Sequence, residues 1–145
     1  MTVLDAYAVV AYLRDEPAAI QVSRLLADGD TSLTAVGLAE VLDQLIRVAG
    51  ADEEDAALDL AQLGLLETTS ADSALGAAAG RLRARHYHRT RCAVSMADCV
   101  AAEAARRSAE PLATSDPHLL DVCHRERISV IVLPGSDGSV WKPAE

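Results

Sequence analysis

The sequence predicts one α/β domain spanning residues 1–145, a three-layer α/β/α arrangement with a central, mainly parallel sheet. Three observations carry this. Strand-like runs such as Thr2–Leu4 and Ser129–Leu133 are short and, after their first residue, continuously apolar, as in strands covered on both faces. Helical patterns fill the intervals between them, and parallel strands need crossovers of that kind. At 145 residues the chain is long enough for one sizeable core, and half of its residues are apolar, which excludes a disordered chain.

The elements follow in order. Thr2–Leu4 is a buried strand, and a helix from Ala6 to Arg14 buries Val9, Val10 and Leu13. Asp15-Glu16-Pro17 interrupts it, and proline suits the first turn of the helix that follows, Ala18 to Ala27. Asp28-Gly29-Asp30 is a turn before a second strand, Thr31–Leu33. Thr34 caps a helix that runs to about Ala49 and stops at Gly50. Asp52 opens a helix through Leu63, ended by Gly64, and Leu65–Thr69 suits a third strand. Ser70 or Asp72 caps a long alanine-rich helix that carries a run of arginines. Thr90–Val94 is a break, and Ser95 caps a helix to about Arg107. Pro111–Thr114 is a fourth strand, Asp116-Pro117 starts a helix through His124, and Ser129–Leu133 is the most strand-like run of all. Pro134–Ser139 is a turn, with a last short strand expected at Val140-Trp141.

Composition narrows the class. No apolar run approaches the roughly 20 residues of a membrane span. The N-terminus shows no basic stretch followed by a long apolar one, so no signal peptide is expected. Cys92, Cys99 and Cys123 are odd in number and match no metal or redox spacing, which suits reduced, packed thiols of a cytoplasmic protein. The formal net charge is −9, which opposes nonspecific binding to nucleic acid. Yet residues 81–91 hold Arg81, Arg83, Arg85, Arg89 and Arg91 and no acid, so one basic patch sits on a strongly acidic body. Arg81, Arg85 and Arg89 fall at helical spacings and form one stripe with His88 alongside, either phosphate contacts or a solvated or partner-facing helix surface.

Four acids matter most. Asp5, Asp98 and Asp116 each have a structural reading as helix-start residues: a cap after the first strand, the acid of a Ser95-x-x-Asp98 capping box, and a cap before proline. Glu40 differs, since it lies inside a helix where no cap is needed; its plain reading is a solvated face shared with Asp43 and Arg47. Their arrangement adds weight. Ligands of open parallel sheets gather beyond the carboxyl ends of the strands. If the strands before Asp5 and Asp116 are neighbours, these acids converge at one sheet edge. Converging carboxylates repel one another unless a cation joins them, and all-oxygen ligands suit Mg²⁺ or Mn²⁺.

An N-terminal strand ending in Asp5, a helical Glu40, Asp98 within Met-Ala-Asp-Cys-Val-Ala-Ala, and Leu-Ala-Thr-Ser-Asp ending at Asp116 together resemble the PIN domain, most closely VapC-type toxin ribonucleases. The likeness in element order and acid order covers nearly the whole chain. It implies a metal-dependent endoribonuclease in which Asp5, Glu40, Asp98 and Asp116 hold Mg²⁺ or Mn²⁺, with Thr114 supporting the last acid. It also implies an RNA substrate, a homodimer, and neutralisation by a VapB-type antitoxin. Where the family often carries Ser or Thr two residues after the first acid, this chain has Tyr7. Two other classes compete. A phosphoacceptor receiver domain would want an acid pair after the first strand and a nucleophilic aspartate near mid-chain, and neither is clear. A catalytically silent PIN-like module would bind RNA or protein without cutting.

Overall fold

The computed structural model describes residues 1–144. Four short strands, β1 (Thr2–Leu4), β2 (Thr31–Ser32), β3 (Leu112–Thr114) and β4 (Val130–Val132), form one sheet in the order β2-β1-β3-β4. Every pairing is parallel, with Val3 opposite Ser32 on one side and Leu112 on the other. Helices α1 (Ala6–Leu13), α2 (Ala19–Ala27), α3 (Ala35–Asp43), α4 (Glu53–Gln62), α5 (Ser73–His86), α6 (Met96–Ser108) and α7 (Pro117–Glu126) cover it.

The three layers are written into consecutive residues. Val3 and Leu112 pack into one core with Leu82 of α5, Val100 of α6 and Val122 of α7. Their neighbours Leu4 and Ala113 point the other way, into a second core with Val9 of α1, Val41 of α3 and Leu60 of α4. Side chains alternate across a strand, so a strand apolar at every position feeds both cores. No helix among the described residues is long and apolar enough to cross a membrane.

The helix starts expected from the sequence are made by side chains that accept amide hydrogen bonds. Asp5 accepts from Ala8 N at 2.8 Å, Thr34 from Gly37 N at 2.9 Å, and Asp72, not Ser70, from Leu75 N at 2.9 Å. Ser95 and Asp98 close the capping box, and Asp116 accepts from His118 N and Leu119 N at 2.8 and 3.1 Å. Each satisfies amides that the helix leaves unpaired.

Two expected strands do not form. At Leu65–Thr69 the chain is still closing α4: Leu65 N donates to Leu60 O and Gly64 N to Ala61 O, both at 3.0 Å, with Gly64 at φ +72°. This reverse turn needs a left-handed residue and ties the first residue of the expected strand back to α4. Only Thr69 reaches the sheet edge, as a single parallel bridge to Thr34. Val140-Trp141 is not a strand either. Trp141 Nε1 donates to Asp121 Oδ1 at 2.9 Å and its ring meets His124 edge-on, so the segment packs on α7. The helix expected to reach Ala49 is α-helical to Asp43 and continues as a wider π-helical turn, Gln44–Val48.

Candidate active site

From β1 the chain moves outward to β2, then crosses back to β3 on the other side of β1. The strand order therefore reverses between β1 and β3, where a crevice opens beyond their carboxyl ends. Asp5 follows β1, and Asp116 stands two residues beyond β3. Helix α3 brings Glu40 and the first turn of α6 brings Asp98. All four line one cleft of about 510 Å³, together with Tyr7, Ser95, Ser115, Ser136 and Asp137.

Asp5 lies deepest, only 3% exposed. Its Oδ1 accepts from Ala8 N, and its Oδ2 accepts from the Thr114 hydroxyl. Thr114 Oγ1 in turn accepts from Asp116 N at 3.1 Å. The fully buried threonine thus ties the carboxylate of the first acid to the backbone of the last. That refines the expected support role: Thr114 holds the Asp116 amide and the Asp5 carboxylate, not the Asp116 carboxylate.

Burial pushes the Asp5 carboxyl up to about 7, with Asp98 and Asp116 adding repulsion against the Thr114 and Ala8 hydrogen bonds. Burial also raises Asp98 and Glu40. Asp116 repels both, and the Ser95 hydrogen bonds pull Asp98 the other way. A group of acids held against its own charge in a cleft marks a place for a cation or for proton chemistry.

The donor set fits a hard divalent ion bound partly through water. The Glu40 carboxylate makes no hydrogen bond among the described residues, Asp98 commits Oδ2 to Ser95 N at 3.0 Å, and Asp116 commits Oδ1 to its helix. Asp98 Oδ1, Asp116 Oδ2 and both Glu40 oxygens are left for other partners. The acids do not close into a cage: among the described residues, no three His, Cys, Asp or Glu side chains form a metal-holding group. Mg²⁺ accepts such a site, since it keeps several waters and takes one or two carboxylates with substrate phosphates.

The expected arginine stripe does not form as one helical face. Helix α5 ends at His86, so Arg89 lies beyond it, in a turn closed by the His88–Cys92 bridge. Arg85 points to Glu126 of α7 at 3.3 Å, where His86 and Arg106 also converge. Only Arg81 remains on α5 as an exposed, unpaired member among the described residues.

The sequence did not single out the Ser136–Asp137 side of the cleft, because a Gly-Ser-Asp-Gly-Ser run reads as a turn whether or not it faces a site. Asp137 accepts from Ser139 N and Oγ at 2.9 and 2.6 Å, which holds its carboxyl below the usual range. Among the described residues, the buried Tyr7 hydroxyl has no hydrogen-bond partner. Burial raises that hydroxyl's pKa, and the nearby Ser136 and Ser115 hydroxyls oppose the rise.

Residues 2–125 match the PIN domain model, and the chain belongs to the PIN domain family. No curated protein sequence matches the chain at a significant level. Solved structures similar to it include FitAcB from Neisseria gonorrhoeae, with TM-score 0.65 and 18% identity over 90% of this chain and 96% of that one. FitAB bound to the IR36 DNA fragment gives 0.66 and 19% over 90% and 94%. VapBC2 from Rickettsia felis, bound to a DNA fragment from its promoter, gives 0.59 and 18% over 90% and 96%. At these identities the likeness concerns the fold.

Proposed function

We propose that the protein is a metal-dependent endoribonuclease of the VapC type, hydrolysing phosphodiester bonds in RNA. The observation that carries this reading is the convergence of Asp5, Glu40, Asp98 and Asp116, from four separate places in the sequence, on one cleft at the strand-order reversal of a PIN fold.

Asp98, Asp116 and Glu40 offer free carboxylate oxygens toward the cleft, and Asp5 supplies buried negative charge at its floor. Bound Mg²⁺ or Mn²⁺ would supply an acidified water and positive charge for the phosphate in the transition state. The chain's own residues do the rest. Thr114 fixes the rotamer of Asp5 and the approach of Asp116 through one hydroxyl. The α1 and α7 N-termini face their capping aspartates Asp5 and Asp116, and the first turn of α6 faces Asp98, with partial positive charge that offsets part of the repulsion among these carboxylates. Glu40, raised above the usual carboxylate range and without a protein partner, is the group suited to take a proton from water.

The same reading makes the chain a cytoplasmic homodimer neutralised by a VapB-type antitoxin. The Rickettsia felis neighbour, a VapBC2 assembly on promoter DNA, supports it by analogy of fold.

The test is cleavage of a structured RNA pool by antitoxin-free protein. It is run with Mg²⁺ or Mn²⁺, with chelator, and with the Asp5→Asn and Asp98→Asn variants. Chelator-sensitive cutting that both variants lose is expected. Cutting that persists in chelator or in both variants would remove the assignment. Metal binding without turnover would place the protein among silent PIN-like binding modules.

A further inference from the structure

Among the described residues, the cleft is lined by five acids, Asp5, Glu40, Asp98, Asp116 and Asp137, and by no lysine or arginine. A nucleic-acid backbone entering it meets only negative charge, so the attraction must come from the rim. The turn that leads into the cleft residues Ala93 and Ser95 carries two cations. The turn between α5 and α6 is a short hairpin, with His88 N and Cys92 O bonded at 2.9 Å and Cys92 N and His88 O at 3.1 Å. It exposes Arg89 and Arg91, and neither enters an ion pair among the described residues.

Two tethers place this hairpin at the cleft. His118 Nδ1 stands 3.3 Å from Arg91 O and 3.2 Å from Ala93 N, and His118 follows Asp116 and Pro117, both cleft residues. On the other side, Arg83 Nε donates to Val94 O at 3.0 Å, between the cleft residues Ala93 and Ser95. The Arg83 guanidinium also lies 4.1 Å from the centre of the Tyr87 ring, and Tyr87 is 45% exposed. An exposed tyrosine held by an arginine stack, two residues before an unpaired arginine, pairs a base-stacking surface with phosphate contacts. That combination suits an unpaired strand, since paired bases cannot offer a free face.

We infer that the hairpin rim formed by Tyr87, Arg89 and Arg91 is a docking edge for single-stranded RNA, with Tyr87 stacking on a base and the two arginines on the backbone. This deepens the nuclease reading and rests on it for the nature of the substrate. The acids carry the chemistry, and the hairpin delivers the strand.

Binding is measured by fluorescence anisotropy with a mixed-sequence single-stranded RNA of about twelve nucleotides, in chelator, so that affinity is read without cleavage. An Arg89→Ala/Arg91→Ala variant is expected to bind about tenfold more weakly, with a salt slope shallower by about 1.4, the value for two phosphate contacts on a single strand. Tyr87→Ala is expected to lose about 5- to 150-fold with its salt slope unchanged, and Tyr87→Phe to restore most of it. Arg14→Ala/Arg24→Ala, on exposed arginines of the α1–α2 region, should bind like the wild type. Matching melting curves establish that the variants fold. Wild-type-like binding by the hairpin variants, equal loss in the Arg14/Arg24 control, or no binding by the wild type would overturn the inference. The nuclease reading stands or falls separately, on metal-dependent cleavage by the wild type.

Discussion

Replacing Asp5 by asparagine is expected to make the metal-free protein more stable at neutral and alkaline pH. Asp5 is buried, and its carboxyl rises from 3.8 to about 7. A raised carboxyl binds its proton more tightly folded than unfolded. Its contribution is therefore fully present below the unfolded value of 3.8 and is lost as pH rises through about 7. A gap of about three units is worth at most about 4 kcal/mol of destabilisation once both states are ionised. Asparagine keeps the acceptor for Ala8 N and removes the buried charge. It leaves the Thr114 hydroxyl without its carboxylate acceptor, at a cost of about 1 kcal/mol. The net gain near pH 8 is about 3 kcal/mol, a rise of roughly 6–12 °C in melting temperature for a domain of this size. The assay is thermal unfolding followed by circular dichroism in chelator, at about pH 4, 6 and 8. The gain should be largest near pH 8, shrink as pH falls and vanish or reverse near pH 4, while the same variant loses RNA cleavage with Mn²⁺. A variant less stable than the wild type at pH 8, or an effect that does not change with pH, would refute the reasoning.

Glu126 should behave with the opposite sign. His86, Arg106 and Arg85 hold its carboxyl down to about 2, so its contribution is present above its ordinary value of 4.5 and lost as pH falls toward about 2. Glu126→Gln should therefore lower the melting temperature at neutral pH and leave it nearly unchanged at the acid end, flattening the acid limb, as a pH titration of melting temperature will show. Thr114→Val removes both the donor to Asp5 and the acceptor for Asp116 N, and should lower stability by about 1–3 kcal/mol in equilibrium denaturation. Thr114→Ser should recover most of it. At Gly37 an added Cβ would meet Leu33 Cδ1 at 2.9 Å and Thr34 Oγ1 at 3.2 Å. Gly37→Ala should therefore cost about 1–3 kcal/mol despite its better helix propensity, read from denaturation midpoints.

Much of this architecture was legible because it rests on local rules. Thr2–Leu4, Asp5, Ser95 and Asp116-Pro117 announce themselves through apolar runs and caps whose physics is confined to a few residues. The acids were legible as a set for the same reason: three of them stand at helix starts, and strand–helix order places helix starts at one sheet edge. What stayed hidden depends on distant partners. The Leu65–Thr69 run has strand composition, but whether it extends depends on how α4 ends at Gly64 and on what lies beside β2. The arginine spacing held only as far as α5 does, and nothing local says that the helix stops at His86 or that Glu126 draws in Arg85 from 41 residues away. The Ser136–Asp137 wall was invisible because a polar turn carries no sign of the cavity it faces. Thr114 could be matched by its Thr-x-Asp spacing, but its bond to Asp5 spans 109 residues.

The claim on which the rest depends is that the cleft acids act together on a divalent ion. A calorimetric titration of Mn²⁺ into the protein, with an uncleavable single-stranded RNA present, measures this most directly. Saturable binding is expected, lost in a folded Asp98→Asn/Asp116→Asn variant and kept in Asp43→Asn, whose carboxylate is engaged by Arg47 on the exposed side of α3. Binding of equal strength in all three proteins, or none in the folded wild type, would contradict it.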